Sequence, residues 1–222
     1  MKLLADNLAV DRGGRRVFAG LTFSVSAGTA LIVTGPNGVG KSSLLRTLAG
    51  LVAPAEGDLN LEGASQPDMA VHEHAHYFGH QDALKPALTA LENLTFWQSF
   101  SAPAPSPGFK SAVMKPVQAL EFLGIGHTAR LPAAYLSAGQ RRRLSLARLL
   151  ITPRPLWLMD EPTSALDTAS EARLLDLMNN HLSGGGIIIA ATHSPLNLST
   201  IVRLHLETAP EPMAPLSQER DA

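Results

Sequence analysis

Three clusters of residues in this 222-residue sequence have types and spacings that suit phosphate chemistry. The first is Gly35-Pro36-Asn37-Gly38-Val39-Gly40-Lys41-Ser42, followed by Ser43. Its glycines let consecutive backbone N–H groups curl around phosphate oxygens, and a helix starting at its end adds the partial positive charge of its N-terminus. Lys41 supplies a full charge to β- and γ-phosphates, and the Ser42 hydroxyl is a ligand for Mg²⁺. The second cluster is Leu156-Trp157-Leu158-Met159-Asp160-Glu161, four apolar residues and then two carboxylates. Adjacent residues at a strand end point in different directions. Asp160 is thereby placed to hold Mg²⁺, while Glu161 faces the γ-phosphate and polarises an attacking water. The third is Leu136-Ser137-Ala138-Gly139-Gln140. A small hydroxyl residue and a glycine at a helix start form a second anion site, with free N–H groups and the helix dipole aimed outward. One chain needs only one γ-phosphate site, but two copies use both if each faces the other's loop.

These residues need rigid elements to hold them. The strand Ala30–Thr34 runs into the first cluster, and Leu44, Leu45, Leu48 and Leu51 recur at helical spacing behind it, which predicts a helix over Lys41–Leu51. Shorter strands are expected over Leu3–Val10, Leu21–Val25, Asp58–Leu61 and Ala75–Phe78. Thr89 followed by Glu92 marks a capping box opening a helix that runs to Phe100. Pro103, Pro105 and Pro107 then break regular structure, and a helical pattern resumes over Val113–Leu123. Further on come a helix Gln140–Ile151, a strand Leu156–Asp160, a helix Ser170–Leu182 and a strand Ile187–Ala191. Strands apolar on both faces that alternate with helices indicate an α/β fold with a parallel sheet covered by helices.

Composition removes other chemistries. The 18 Lys and Arg against 19 Asp and Glu give a formal charge of −1, which speaks against a nucleic-acid partner. Arg141-Arg142-Arg143 accordingly reads as a solvated basic face. The absence of cysteine excludes disulfides, thiolate metal sites and a catalytic thiol. No apolar run exceeds five residues, against roughly 20 for a membrane helix, so a soluble chain is expected. His72, His74 and His76 would share one face of an extended strand, but unsupported histidines in such a segment read better as an exposed turn than as a metal site.

The motifs and their order resemble the ABC-type ATP-binding subunits. Leu136–Gln140 is similar to that family's signature, Gln81 follows a strand, Ser164-Ala165-Leu166-Asp167 follows the carboxylate pair, and His193 follows the strand ending at Ala191. The resemblance implies a P-loop NTPase fold over residues 1–206, with a largely parallel core sheet, an antiparallel β subdomain and a small helical subdomain at about 82–140. Residues 207–222 are expected to be a disordered tail. It also implies a head-to-tail homodimer that sandwiches two ATP molecules with Mg²⁺. Each nucleotide would lie between one copy's Gly35–Ser43 loop and the other's Ser137, Gly139, Gln140 and Asp167. By the same resemblance Gln81 senses the γ-phosphate through Mg²⁺ or the attacking water, and His193 holds the γ-phosphate and Glu161 together. Where many members of the family place an aromatic ring against adenine, this sequence has Arg12, whose planar guanidinium is also able to stack on a base.

Gly79–Lys85, Leu88–Leu94 and Tyr135–Arg142 are similar to the ATP-binding subunits of bacterial cytochrome c maturation systems. That resemblance implies integral membrane subunits of a haem export complex as partners. It also implies a peripheral position on the cytoplasmic face of the inner membrane, where hydrolysis powers haem delivery. The coupling surface would lie between Gln81 and the signature. The residues leave open an ABC-type ATPase for another exported cargo, a soluble one serving an assembly scaffold, and a P-loop kinase.

Overall fold

Ile187–Ala191 has no polar residue on either face, and the structure buries it on both sides. The structure is a computed structural model that describes residues 1–64, 66, 68–100 and 107–207. Two sheets organise it. The strands β1 (Lys2–Arg12), β2 (Arg15–Ser26) and β4 (Glu56–Glu62) form an antiparallel sheet in the order β2-β1-β4. The core sheet contains β3 (Ala30–Thr34), β5 (Ala75–Phe78), β6 (Leu156–Asp160), β7 (Ile187–Ala191) and β8 (Ile201–His205). Its order is β5-β6-β7-β3-β8, and every neighbouring pair is parallel.

The period of two along each core strand divides its side chains between two apolar cores. Ala30, Ile32, Trp157, Met159, Ile188 and Ala190 point to one side, where they meet the helical half of the chain: α2 (Ala90–Phe100), α3 (Pro116–Phe122), α4 (Ala138–Ile151) and α5 (Thr168–Ser183). Leu31, Val33, Leu156, Leu158, Ile187 and Ile189 point to the other, against α1 (Lys41–Leu48) and the antiparallel sheet. This is the α/β architecture with an antiparallel second sheet. Among the described residues no helix is long and apolar enough to cross a membrane.

Several boundaries moved, each for a local reason. The first helix ends at Leu48 because Gly50 turns into the left-handed region, φ +69°. The third begins at Pro116, whose missing N–H suits the first helical turn, so Val113 precedes it. Strand β8 carries Arg203 and lies at a sheet edge, which does not require two-faced burial and hides it from a pattern reading. His72 and His74 sit on a single 3₁₀ turn, Val71–His74, ahead of β5, so the three histidines share no strand face. Nor do they form an exposed turn, since His74 and His76 are buried and only His72 is exposed. Pro103, Pro105 and the tail beyond Glu207 lie outside the described residues.

Candidate functional site

The phosphate-type loop leaves the C-terminal end of β3 and enters α1 at Lys41. Its last glycine is required by space as well as by angle: Gly40 has φ +111°, and a Cβ there would fall 2.5 Å from Val17 Cγ1 on β2. The loop therefore lies tight against the antiparallel sheet, with Val39 buried beneath it. Lys41 is 9% exposed, and its Nζ donates to the carbonyls of Gly35 at 2.8 Å and Pro36 at 3.0 Å. No carboxylate among the described residues forms an ion pair with it. A nearly buried ammonium held only by carbonyls is a strong attractor for an anion.

Three parallel strand ends converge on this loop. Next to β3, β7 delivers Thr192 and His193, and β6, one strand further out, ends in Asp160 and delivers Glu161. Together they enclose a cavity of about 460 Å³ lined by Arg12, Asn37, Gly38, Gly40, Lys41, Ser42 and Ser43 on one side and by Asp160, Glu161 and His193 on the other, with Arg46 and His80 at its margin. Ser42 and Asp160 bring hard oxygen donors to one space, a donor set that fits Mg²⁺. Arg16 is engaged by Asp11 and Glu56, whereas Arg12 has no carboxylate partner among the described residues.

Glu161 is held on several sides. Its main chain is left-handed, φ +45°, a conformation that costs a non-glycine residue energy and persists only when surroundings enforce it. Its N–H donates to Ala191 O at 2.8 Å, and its carbonyl accepts from Arg142 Nη2 at 2.8 Å. Its Oε2 accepts from the Thr192 hydroxyl at 3.2 Å, and His193 Nε2 lies 3.9 Å from Oε1. Sequence reasoning missed both Thr192 and Arg142. Arg142 in particular read as part of a solvated basic face, yet it is 4% exposed because main-chain carbonyls take its donors. Burial lowers its pKa, while Asp82, Asp160 and Glu161 pull the other way.

Other predicted residues lie apart from this cavity. Gln81 is exposed and lines the neighbouring groove, while His80 lines both that groove and the cavity. Ser137 caps α4: its hydroxyl accepts from the Gln140 N–H at 3.2 Å, and the Gln140 side chain accepts from the Ser137 N–H at 2.9 Å. Gly139 follows within the first turn, near the Ala165 carbonyl. Asp167 caps α5 by accepting from the Ser170 N–H at 2.7 Å, which lowers its carboxyl pKa. Within one chain, then, Ser137, Gly139, Gln140 and Asp167 are not lining the cavity that holds Lys41 and Glu161.

Two buried histidines, His76 and His181, are structural. Burial pushes His76 down to about 3, with its Nε2 bonded to Thr152 O, and pushes His181 down to about 4 as it stacks on Trp157 at 3.9 Å. No group of three metal-ligating side chains occurs among the described residues.

A parallel sheet whose strand ends carry a glycine-lysine-serine loop, two adjacent carboxylates and a histidine defines a P-loop nucleotide-binding domain. The ABC transporter family profile matches residues 18–164, and the chain belongs to that family. Within it, the chain is similar along most of its length to cytochrome c biogenesis ATP-binding export proteins, CcmA. It is 55% identical over 199 residues to that of Nitrobacter winogradskyi, spanning 90% of this chain and 95% of the relative. To that of Rhodopseudomonas palustris it is 53% identical over 200 residues, spanning 90% and 96%. Among solved structures, a dimeric ATP-binding cassette in a post-hydrolysis state bound to ADP and Pi shares the fold. The TM-score is 0.73 at 23% identity, covering 94% of this chain and 98% of that one.

Proposed function

We propose that this chain is the ATP-hydrolysing subunit of an ABC transporter that drives haem delivery for c-type cytochrome biogenesis. The observation that carries the hydrolase reading is the single cavity that sets a buried, carboxylate-free Lys41 opposite Asp160, Glu161 and His193. The haem role rests on identity above 50% along nine-tenths of the chain to proteins named for cytochrome c biogenesis.

In this reading the loop N–H groups from Gly35 to Ser43 and the Lys41 ammonium bind the β- and γ-phosphates of ATP, and Arg12 stacks on the base. Ser42 and Asp160 hold Mg²⁺, with Gln81 reaching in from its exposed turn; that ion, when bound, neutralises phosphate charge. Glu161 accepts a proton from the water that attacks the γ-phosphorus, and His193 donates to the γ-phosphate while holding Glu161 in place. Ser137, Gly139, Gln140 and Asp167 of a second, head-to-tail copy close the far side of the nucleotide.

Integral membrane subunits of the haem export complex dock in a groove of about 790 Å³ that includes Gln81, Trp97, Phe100, Arg46, Arg148 and Arg154. Among the described residues its wall has no Asp or Glu, and burial pulls Arg148 down to about 10, so it favours a partner surface carrying carboxylates. The subunit thus sits on the cytoplasmic face of the inner membrane.

Deletion of the gene should abolish haem-staining c-type cytochromes, with wild-type protein restoring them and Glu161→Gln failing to do so. Normal c-type cytochromes in the deletion strain would sink the haem reading. Recovery of a purified protein with no ATPase activity, alone or with its membrane partners, would sink the hydrolase reading.

A further inference from the structure

Arg142 stands on the second turn of α4, five residues after the capping Ser137, and its one guanidinium joins three elements. Nη1 donates to Gly79 O at 2.7 Å and faces Asp82 Oδ1 at 3.4 Å. Nη2 donates to Glu161 O at 2.8 Å and to Asp160 O at 3.2 Å. The plane lies over the Phe78 ring with Cζ 3.7 Å from its centroid. Gly79 and Asp82 bracket the turn that carries Gln81, and Asp160 and Glu161 are the carboxylate pair.

We propose that Arg142 is a positioning residue that makes the geometry of the Glu161 carboxylate depend on where α4 and the Gly79–Asp82 turn sit. The proposal rests on Glu161 being the base and on the head-to-tail dimer. A buried charge is a poor way to fill this space: its one carboxylate contact is long, and an apolar side chain would pack on Phe78 without the loss of hydration. What the guanidinium supplies is direction, since its planar fork fixes four acceptors relative to one helix. Three of those acceptors are main-chain carbonyls, one opening the turn after β5 and two at the end of β6.

Glu161 is the sensitive one. Its left-handed main chain is anchored by the Ala191 bond to its N–H, the Arg142 bond to its carbonyl and a further bond, at 3.1 Å, from the Ser164 N–H to that carbonyl. If the second anchor shifts, the residue relaxes toward an ordinary backbone conformation, its Cα–Cβ bond turns, and the carboxylate leaves the γ-phosphate position. The helix transmits the shift because it is rigid over the roughly 7.5 Å of axis between Ser137 and Arg142. Engagement of the Ser137 end by the nucleotide of the other copy therefore sets the base of this copy, and movement of the Gln81 turn does the same from the groove side.

The test measures ATP turnover and ATP affinity of the purified full chain with Arg142→Met, Arg142→Lys and Glu161→Gln. Arg142→Met should lower kcat on the order of 10²-fold while the ATP Kd changes less than about twofold, since a misplaced catalytic group costs rate and not ground-state binding. Arg142→Lys, which keeps the charge but reaches fewer carbonyls, should fall between Arg142→Met and wild type. Should Arg142→Met fail to fold, Arg142→Lys decides: reduced kcat with intact affinity supports the proposal, and wild-type kcat overturns it. Parallel loss of kcat, affinity and melting temperature in either folded variant also overturns it, because Arg142 would then serve the fold alone. Glu161→Gln separates the layers: normal turnover there defeats the base assignment itself, whereas inactive Glu161→Gln with normal Arg142→Lys defeats only the positioning role.

Discussion

A carboxylate is a useful base only if it points one way, and Thr192 helps to decide which. Its buried hydroxyl accepts the Ser194 N–H at 3.0 Å, which fixes one lone pair, and its single proton chooses between Glu161 Oε2 at 3.2 Å and Ser194 O at 3.4 Å. The charged and nearer acceptor wins. Thr192→Val keeps the shape and removes that donor, so kcat should fall about tenfold with ATP affinity unchanged, while Thr192→Ser should remain near wild type. Steady-state rates at saturating ATP check this, and an unaltered Thr192→Val would remove Thr192 from the site. Lys41, Ser42, Asp160 and Glu161 were legible in the sequence because each belongs to a contiguous motif whose spacing is its meaning. Thr192 and Arg142 were not, because they act on Glu161 from 31 and 19 residues away, and only the fold brings them there. A threonine at a strand end and the middle of three arginines carry no local mark of that.

At the scale of elements, the core strands were readable to the residue because burial on both faces leaves an unbroken apolar run, as in Leu156–Met159 and Ile187–Ala191. The edge strand β8 and the 3₁₀ turn bearing His74 follow from tertiary neighbours and left no such run. Helix α4 shows how one element end serves fold and function together. The Ser137 oxygen is occupied as acceptor by its own helix, but a hydroxyl also donates, and the N–H groups of Ala138 and Gly139 have no acceptor among the described residues. That end is therefore ready to meet an anion from another molecule without uncapping. If the anion belongs to a second copy, Ser137→Arg should spoil the partner's nucleotide site and spare its own, and Lys41→Ala should do the reverse. Each variant alone should be inactive, and a mixture should regain turnover through heterodimers that contain one intact composite site. A mixture as inactive as its components would contradict the head-to-tail arrangement.

Taken whole, the molecule is two apolar cores on a shared sheet, and His76 and His181 are set into it uncharged. Their carbonyl bonds favour the charged form, but burial outweighs them and holds the two rings down to about 3 and about 4. Arg148 and Arg154 add repulsion at His76. In the unfolded chain both histidines take up protons near the ordinary value of about 6.5, so below that pH the unfolded state binds more protons than the native state. The stability they contribute is complete above about 6.5 and is lost progressively as the pH falls toward their folded values. At pH 5.5 the two rings together lose about 3 kcal/mol. For a domain of this size that corresponds to a melting temperature roughly 6–12 °C lower than at pH 7.5. The carboxyl groups of Glu92 and Asp167 are also held below their ordinary values, so the stability they add is lost only as the pH falls below those values. Thermal melts between pH 7.5 and 5.5 should show the slope, and His76→Gln, whose amide N–H still reaches the Thr152 carbonyl, should remove about half of it. A melting temperature flat over that range, or a slope the substitution leaves intact, would mean that protons enter somewhere other than these two buried rings.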